Sequence, residues 1–285
     1  MVDADDKRLL DAAEAFLAEG VRLTQWRRAG DLANELALTN EEAAAQLFMA
    51  ASRAASRAGS AVLAVQLARS AMLLHARKDA FLASSAARAA VAELAAVSGE
   101  DPWLREASDL QLAMSAAGIT DEAIELARVI VSVTDDLPPS AEARAIQAQA
   151  LANLASALTK AGRHGEALDV LAEAADHAPG NAYELIGNIE YGLGLAHAEL
   201  NHIEDARHAY ARSRAAFTSA GADAVNIAYV DRLDAAALAR TGRYDEALPR
   251  SSNEPVPHSR NRGHQRMSTE HSSDSSRLAT SSAGP

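Results

Sequence analysis

Three closely spaced histidines are the residues of this sequence best suited to bind a metal ion. His197, His202 and His208 are accompanied by Glu204 and Asp205, and imidazole and carboxylate groups together are common zinc ligands. No two of these histidines stand four residues apart on one helix, as they do in the H-E-x-x-H motif of zinc enzymes. The spacing favours ordinary turn and helix histidines, and we predict no metal site and no other cofactor.

Nucleophilic and acid–base catalysis find no support in the sequence either. The chain has no cysteine, and Ser84 and Ser85 lie in an alanine-rich stretch typical of a helix. It contains no G-x-S-x-G motif for a catalytic serine and no G-x-x-x-x-G-K-[ST] loop for nucleotide phosphates. Paired carboxylates such as Glu41 and Glu42 stand at predicted helix starts, where they complement the helix dipole. We therefore expect no catalytic residues and predict that the protein is not an enzyme.

The elements that would have to position any site are repeated along the chain. The segment "LTKAGRHGEALDVLAEA" at 158–174 joins the end of an apolar helix, a glycine turn and a new helix. The same arrangement recurs with a fixed offset of five residues between a turn residue and an alanine. The pairs are Gly118 and Ala123, Gly162 and Ala167, Asn201 and Ala206, and Gly242 and Ala247. Such internal repetition is the signature of a repeat architecture.

Composition and hydrophobic periodicity predict that these repeats are helical. Of the 285 residues, 48% are apolar but only 4% are aromatic, and the abundant alanines and leucines are strong helix formers. Apolar residues recur at three- and four-residue intervals in successive segments separated by short breaks. The predicted helices span 5–18, 22–37, 42–57, 61–75, 78–97, 104–116, 121–133, 141–160, 164–177, 182–199, 203–218 and 223–240. Short connections between them predict antiparallel hairpins in series, which make an all-α solenoid.

The clearest unit resembles a tetratricopeptide repeat. The matching residues are Leu151, Leu154, Ala155 and Leu158 in the first helix, Gly162 in the turn, Ala167, Leu171 and Ala174 in the second helix, and Pro179 at the exit. A second unit contains Gly194 and Ala206, and weaker units are centred on Ala123 and Ala64. The resemblance implies a right-handed superhelical solenoid of helix hairpins, in which small residues let two helix backbones approach closely.

The repeat spacing is longer than the tetratricopeptide norm. Gly162 and Asn201 are 39 residues apart, and Asn201 and Gly242 are 41 residues apart, compared with about 34 in the common repeat. Long, alanine- and arginine-rich hairpins of this kind resemble the helical sensor segment of large bacterial transcriptional regulators that also carry an ATPase domain. The resemblance is sharp over 141–249. Between Gly59 and Gly118 the repeat register is lost, and the helix at 78–97 has no assigned partner.

The resemblance also implies a concave groove that binds a protein or peptide segment. Transferred position by position, its lining residues are Asn153, Ser156 and Lys160, then Tyr191, Leu195 and Glu199, then Tyr229, Arg232 and Arg240. Asn153 with Lys160 is compatible with holding a peptide backbone or a carboxylate. Two functions follow. One is a non-catalytic protein- or peptide-binding scaffold, and the alternative is a ligand- or partner-sensing segment of a bacterial regulator without its ATPase and DNA-binding domains.

Charge and hydropathy limit the classes of molecule that the protein is expected to bind. The formal net charge is −12, and because phosphate binding needs clustered Lys and Arg, we predict no nucleic-acid partner. No uncharged apolar run approaches the roughly 20 residues that span a bilayer, which predicts no membrane insertion. The N-terminal segment "MVDADDKRLLDAAEAFLAEG" is acidic and amphipathic, unlike a signal peptide. Together with the absence of cysteine, this favours a cytoplasmic protein.

The C-terminal segment changes composition within a repeat. Pro249 follows Leu248 where a second helix should continue, and the chain then becomes rich in Ser, Arg and His. Such a segment cannot offset its ordering entropy by apolar burial, so we predict a helical repeat domain at 1–249 and a disordered tail at 250–285. The tail is either a natural interaction segment or the end of a truncated or frame-shifted gene, and the abrupt break favours the second. The helix at 223–240 would then be left uncapped, and its apolar face, with residues Val225, Ile227 and Leu233, would favour self-association.

Overall fold

The computed structural model describes residues 4–22 and 24–247, and every regular element in that part of the chain is an α-helix. The helices are α1 (Ala4–Glu19), α2 (Trp26–Leu36), α3 (Glu41–Arg57), α4 (Ala61–His75), α5 (Ala80–Leu94), α6 (Glu100–Ala116), α7 (Thr120–Asp135), α8 (Ala141–Lys160), α9 (His164–His177), α10 (Tyr183–Glu199), α11 (Ile203–Ala220) and α12 (Ala224–Arg240). Residues 244–247 are also helical. None of the described helices combines the length and the apolarity needed to cross a bilayer. The predicted all-α solenoid of helix hairpins is confirmed.

Helix boundaries follow the capping chemistry of the sequence. The side chains of Asn40, Asp79, Ser140 and Asp223 each accept a hydrogen bond from a backbone N–H in the first turn of the helix that follows. Each bond satisfies a donor that the helix itself leaves unpaired. The predicted bounds of α4, α8 and α9 match those of the structure.

Two helices begin four residues from their predicted starts. α6 begins at Glu100 rather than at residue 104, and its N-cap is Gly99, with φ of 90°. Pro102 is then the third helical residue, where its missing N–H removes no intrahelical hydrogen bond. α2 begins at Trp26 rather than at residue 22, because residues 24 and 25 form a turn.

The repeated turns share one backbone conformation. Gly59, Gly118, Gly162 and Gly242 have φ between 75° and 77°, a left-handed conformation that glycine adopts without steric penalty. Asn201 occupies the same place with φ of 62°, and no other non-glycine residue in the described chain has positive φ. In each turn the next residue donates its N–H to the carbonyl oxygen five residues back, which closes the helix end. The donor and acceptor pairs are Ser60 and Ala55, Ile119 and Met114, Arg163 and Leu158, His202 and His197, and Arg243 and Leu238.

The alanine five residues after each turn residue is buried. Ala64, Ala123, Ala167 and Ala206 have no exposed surface, and Ala247 is 8% exposed. A methyl side chain at this position lets the second helix lie close to the first, so the offset seen in the sequence is a packing rule. The bulky positions of the clearest repeat, Leu151, Leu154, Leu158 and Leu171, are buried as well.

Alternate helices form two layers. α4, α6, α8, α10 and α12 each contact the next member of that series, and they are called the inner layer below. The intervening helices form the outer layer, in which α5 contacts α7. The helix expected at 78–97 has a partner, because α5 packs closely against α4. Since α3 packs against α4 as well, the repeat centred on Ala64 stays an interpretation.

Glycines in α10 allow two aromatic rings of α11 to pack against the helix backbone. A Cβ atom at Gly194 would lie 2.5 Å from the ring of Tyr210, and one at Gly187 would lie 2.8 Å from the ring of Phe217. Both rings are buried. The hydroxyl of Ser213 also donates to the carbonyl oxygen of Gly187 at 2.8 Å. The α10–α11 hairpin is therefore held by ring-to-backbone contact.

The apolar face of α12 is smaller than the sequence predicts. Val225 is 63% exposed, but Ile227 and Leu233 are half-buried and pack against the cluster that contains Tyr210 and Phe217. This corrects the expectation that all three side chains are exposed. Residues 248–285, with the break at Pro249 and the predicted tail, lie outside the described residues, so self-association through this end stays a prediction.

Candidate partner-binding groove

A cavity of about 330 Å³ opens between α8 and α10 on the inner layer. Its volume falls within the range of about 300–1,000 Å³ that is usual for ligand sites. Several residues expected from the sequence to line the groove meet here. They are Asn153, Ser156 and Lys160 from α8, and Tyr191 and Leu195 from α10.

Helical periodicity divides α8 between the core and the groove. Leu154 and Leu158 are buried, whereas Ser156 and Lys160 are exposed, because residues three and four apart share a helix face. The floor of the cavity includes Leu171 of α9. A Cβ atom at Gly192 of α10 would lie 3.1 Å from the Leu171 side chain, so the missing side chain at Gly192 allows the close approach of the leucine.

A larger cavity of about 870 Å³ continues the groove, and its lining reaches α6, α7 and α11. Gln149, Asn153 and Asn188 line both cavities, so the two form one continuous groove. Gln149 and Asn188 are absent from the residues predicted from the sequence. Helical spacing could have identified them, since Gln149 is four residues before Asn153 and Asn188 is three residues before Tyr191.

The polar side chains of the groove are partly engaged with protein atoms. The Gln149 side-chain amide donates to Asn153 Oδ1 at 3.0 Å, and the buried Gln111 donates to the backbone carbonyl oxygen of Asn153 at 3.4 Å. Lys160 Nζ donates to the carbonyl oxygen of Ser115, near the end of α6, at 3.3 Å. Because an amide side chain has two N–H donors and two acceptor lone pairs, Gln149 and Asn153 retain hydrogen-bonding capacity for a bound molecule.

Tyr191 connects the cavity to α12. Its ring centroid lies 5.8 Å from that of Tyr229, with the rings tilted by 41°, and the guanidinium of Arg232 lies 4.6 Å from the centroid of the Tyr229 ring. Burial, followed by the neighbouring Tyr229, raises the pKa of Tyr191 well above its ordinary value. The Tyr191 phenol is therefore neutral. Tyr229 and Arg232 do not line either cavity, and their expected place in the groove stays a prediction.

Glu199 and Arg240 are brought together outside the groove. They form an ion pair of 3.2 Å between α10 and α12, and neither residue lines either cavity. Both side chains are exposed, and a pair of this kind contributes about 0–1 kcal/mol. The structure places them in a surface contact between two helices, and their expected role in the groove stays a prediction.

The turn between α10 and α11 assembles two of the histidines considered for metal binding. One ligand atom each of His197, His202 and Asp205 lies within 4.8 Å of the others, whereas His208 is exposed on α11 outside this group. Burial lowers the pKa of His197 below its ordinary value, and the carboxylate of Asp205 opposes that shift. This grouping escapes prediction from helical spacing because the chain reverses direction between the two histidines.

Solved structures share the fold of this chain at low sequence identity. Aspartyl phosphate phosphatase F from Bacillus subtilis is 12% identical, with a TM-score of 0.54 over 88% of this chain and 73% of that one. BtubC (BKLC) from P. vanneervenii is 15% identical, with a TM-score of 0.52 over 96% and 100%. A Rap protein complexed with competence and sporulation factor is 14% identical, with a TM-score of 0.50 over 87% and 75%. No family model and no curated protein matches the chain. The structural likenesses support a tetratricopeptide-like helical repeat fold.

Proposed function

We propose that the protein is a non-catalytic scaffold that binds a peptide, or an extended segment of a partner protein, in the groove along α8 and α10. The observation that carries the proposal is the row of amide side chains, Gln149, Asn153 and Asn188, that line both cavities of the groove. An extended peptide presents backbone N–H and C=O groups, and a side-chain amide pairs with both. The Rap protein complex is a further support, since a protein of the same fold holds competence and sporulation factor.

The groove has the length of a short peptide. Gln149 and Lys160 are eleven residues apart on α8, which corresponds to about 16 Å along the helix axis. An extended chain advances about 3.4 Å per residue, so about five peptide residues fit between them. Tyr191 and Leu195 supply apolar contact along the same stretch.

The charged side chains of the groove favour recognition over chemistry. The charged residues that line the two cavities are Glu184, in the larger one, and Lys160, in the smaller one. No histidine and no second carboxylate lines either cavity in the described part of the chain, so the histidine and paired-carboxylate arrangements common in acid–base catalysis do not occur there. A mostly uncharged peptide, with its carboxylate toward Lys160 and its amino group toward Glu184, suits this distribution.

Selection from a random twelve-residue peptide library on the immobilised full chain provides a ligand for the test. The affinity of a selected peptide is then measured by fluorescence anisotropy against the parent, Asn153→Ala, Tyr191→Ala and a matched control, Glu173→Ala. Glu173 is exposed on α9, in the outer layer. We expect both groove variants to bind at least about tenfold more weakly, as is usual for central contacts, and the control to be unchanged. If Glu173→Ala abolishes binding while both groove variants keep it, the groove is not the site.

A further inference from the structure

Two hairpin turns of the protein carry the same ion pair. In the turn after α8, Arg163 binds Glu166 through two nitrogens, at 2.7 and 2.6 Å. In the turn after α12, Arg243 binds Glu246 in the same way, at 2.6 and 2.7 Å. The arginine lowers the pKa of the glutamate carboxyl in both turns. These positions, one and four residues after the left-handed turn residue, therefore hold a cation and an anion side by side.

The turn between α10 and α11 differs from both at three equivalent positions. His202 and Asp205 stand where the others have arginine and glutamate. His197 stands four residues before the turn residue, where the others have Leu158 and Leu238, which are 1% and 0% exposed. In this turn, two imidazoles and a carboxylate therefore replace the leucine and the ion pair of the other two turns.

The backbone of this turn holds the three residues close together. The backbone N–H of His202 donates to the backbone carbonyl oxygen of His197 at 2.8 Å, and Asn201 between them is in the left-handed conformation. Asp205 lies in the first turn of α11. The turns after α8 and α12 form the same backbone hydrogen bond although their side chains differ. The fold therefore supplies this arrangement before any ligand binds.

We propose that His197, His202 and Asp205 bind one divalent transition-metal ion of the zinc class. Their ligand atoms lie within 4.8 Å of one another, and a tetrahedral ion with bonds of about 2.1 Å needs them about 3.4 Å apart. His202 and Asp205 are exposed, so rotation of their side chains closes the difference. Two imidazole nitrogens and a carboxylate oxygen form a donor set that suits zinc, cobalt and nickel.

One ring nitrogen of His197 has no hydrogen-bond partner in the part of the chain that the structure describes. Nδ1 of His197 is buried and has no hydrogen-bond partner among the described residues, which is uncommon for a buried polar atom. Three protein ligands leave the fourth tetrahedral position to water. The ion would join the end of α10 to the start of α11. The site uses none of the groove residues and is independent of the proposed peptide binding.

The test is zinc binding to the metal-free full chain, measured by competition with a chromophoric chelator. The variants His197→Leu and His202→Arg introduce the residues that the turns after α8 and α12 carry, so the hairpin is expected to fold. His208→Gln is the control on the exposed face of α11. All proteins are also compared with His258, His264 and His271 replaced by Gln, which removes nonspecific binding by the C-terminal histidines.

We expect one zinc ion per chain to bind tightly. Loss of a second-shell partner alone weakens metal sites by about 10–100-fold, so loss of a ligand in His197→Leu or His202→Arg should weaken binding by at least about tenfold. His208→Gln should leave the affinity unchanged, and zinc should raise the Tm of the parent but not of His197→Leu. Equal zinc affinity in the parent, His197→Leu and His202→Arg would overturn the proposal, as would failure of the parent to bind zinc.

Discussion

Small side chains at particular residues set how closely the helices of this protein pack. Ala155 and Ala167 face each other's helices with 1% and 0% exposure, and Gly194 lies under the ring of Tyr210. Protein interiors are packed as densely as crystals of small organic molecules, so one added methylene at such a contact strains the packing of both helices. The consequences can be measured one residue at a time.

Replacing Ala167 with leucine should destabilise the fold by about 1–3 kcal/mol, because the larger side chain overpacks the contact between α8 and α9. Urea unfolding monitored by circular dichroism measures the change. Ala175, exposed on the same helix, is the matched control, and Ala175→Leu should change stability by no more than about 0.5 kcal/mol. An Ala167→Leu protein as stable as the parent would show that Ala167 does not occupy a close contact between α8 and α9.

Gly194→Ala should also be destabilising, although alanine is the better helix former. The new Cβ atom would lie 2.5 Å from the Tyr210 ring, and overpacking of this kind costs about 1–3 kcal/mol. Gly165, in the first turn of α9, has nothing within 4 Å of a Cβ atom, so Gly165→Ala should instead stabilise by up to about 1 kcal/mol. Thermal unfolding of the two variants should shift in opposite directions, and a stabilised Gly194→Ala would show that the ring does not pack as described.

At the scale of elements, the unit of construction is a helix end closed by a left-handed residue. Gly59, Gly118, Gly162, Gly221, Gly242 and Asn201 occupy this position, and the N–H of the next residue satisfies a carbonyl that the helix leaves free. The turn therefore sets the angle at which the next helix leaves. It also decides which side chains of consecutive helices meet.

Asn201→Gly should stabilise the α10–α11 hairpin by about 0.5–1 kcal/mol, because asparagine pays a residual steric penalty in the left-handed region. Asn201→Val should destabilise it by at least about 1–2 kcal/mol, since a β-branched residue is strongly disfavoured there. Chemical denaturation of both variants provides the comparison. If valine is tolerated as well as glycine, the turn does not have the conformation described.

Local features of the sequence predict the helices and the turns well. They predict the arrangement of the assembled helices only in part. The bounds of α4, α8 and α9 follow from hydrophobic periodicity, to which the Ser140 cap adds for α8, and both signals act within a few residues. The pairing of α5 with α4 depends on which layer each helix joins, and no local pattern encodes that choice. Asn153 and Tyr191 line a cavity because of their positions on single helices, so the repeat pattern could identify them. The ion pair of Glu199 with Arg240, and the proximity of His197 to His202, depend on contacts between different helices.

At the scale of the whole molecule, the solenoid is built from contacts between helices that are near in sequence. Each helix of the inner layer touches the next one, and each outer helix packs beside its hairpin partners. Such an array has no single central core, and its two ends are its weakest parts. The groove lies away from both ends, where α6 to α11 support it.

Limited proteolysis tests the domain boundary that the sequence predicts at residue 249, outside the described residues. Low apolar content after Val256 predicts that protease removes residues from about 250 onward and leaves a stable helical fragment. Mass spectrometry of the digest identifies the boundary. A tail that resists cleavage under conditions that degrade an unfolded control would contradict the prediction.

Site-specific photo-crosslinking to a library-selected peptide shows whether the inner-layer groove binds a peptide. A photoreactive benzoylphenylalanine is placed at Ser156, exposed in the groove, or at Glu173, exposed on the outer layer, and the biotinylated peptide is irradiated with each protein. We predict an adduct at position 156 that excess unlabelled peptide suppresses, and no adduct at position 173. A competable adduct at position 173 with none at position 156 would place the partner on the outer layer and exclude the groove as the binding site.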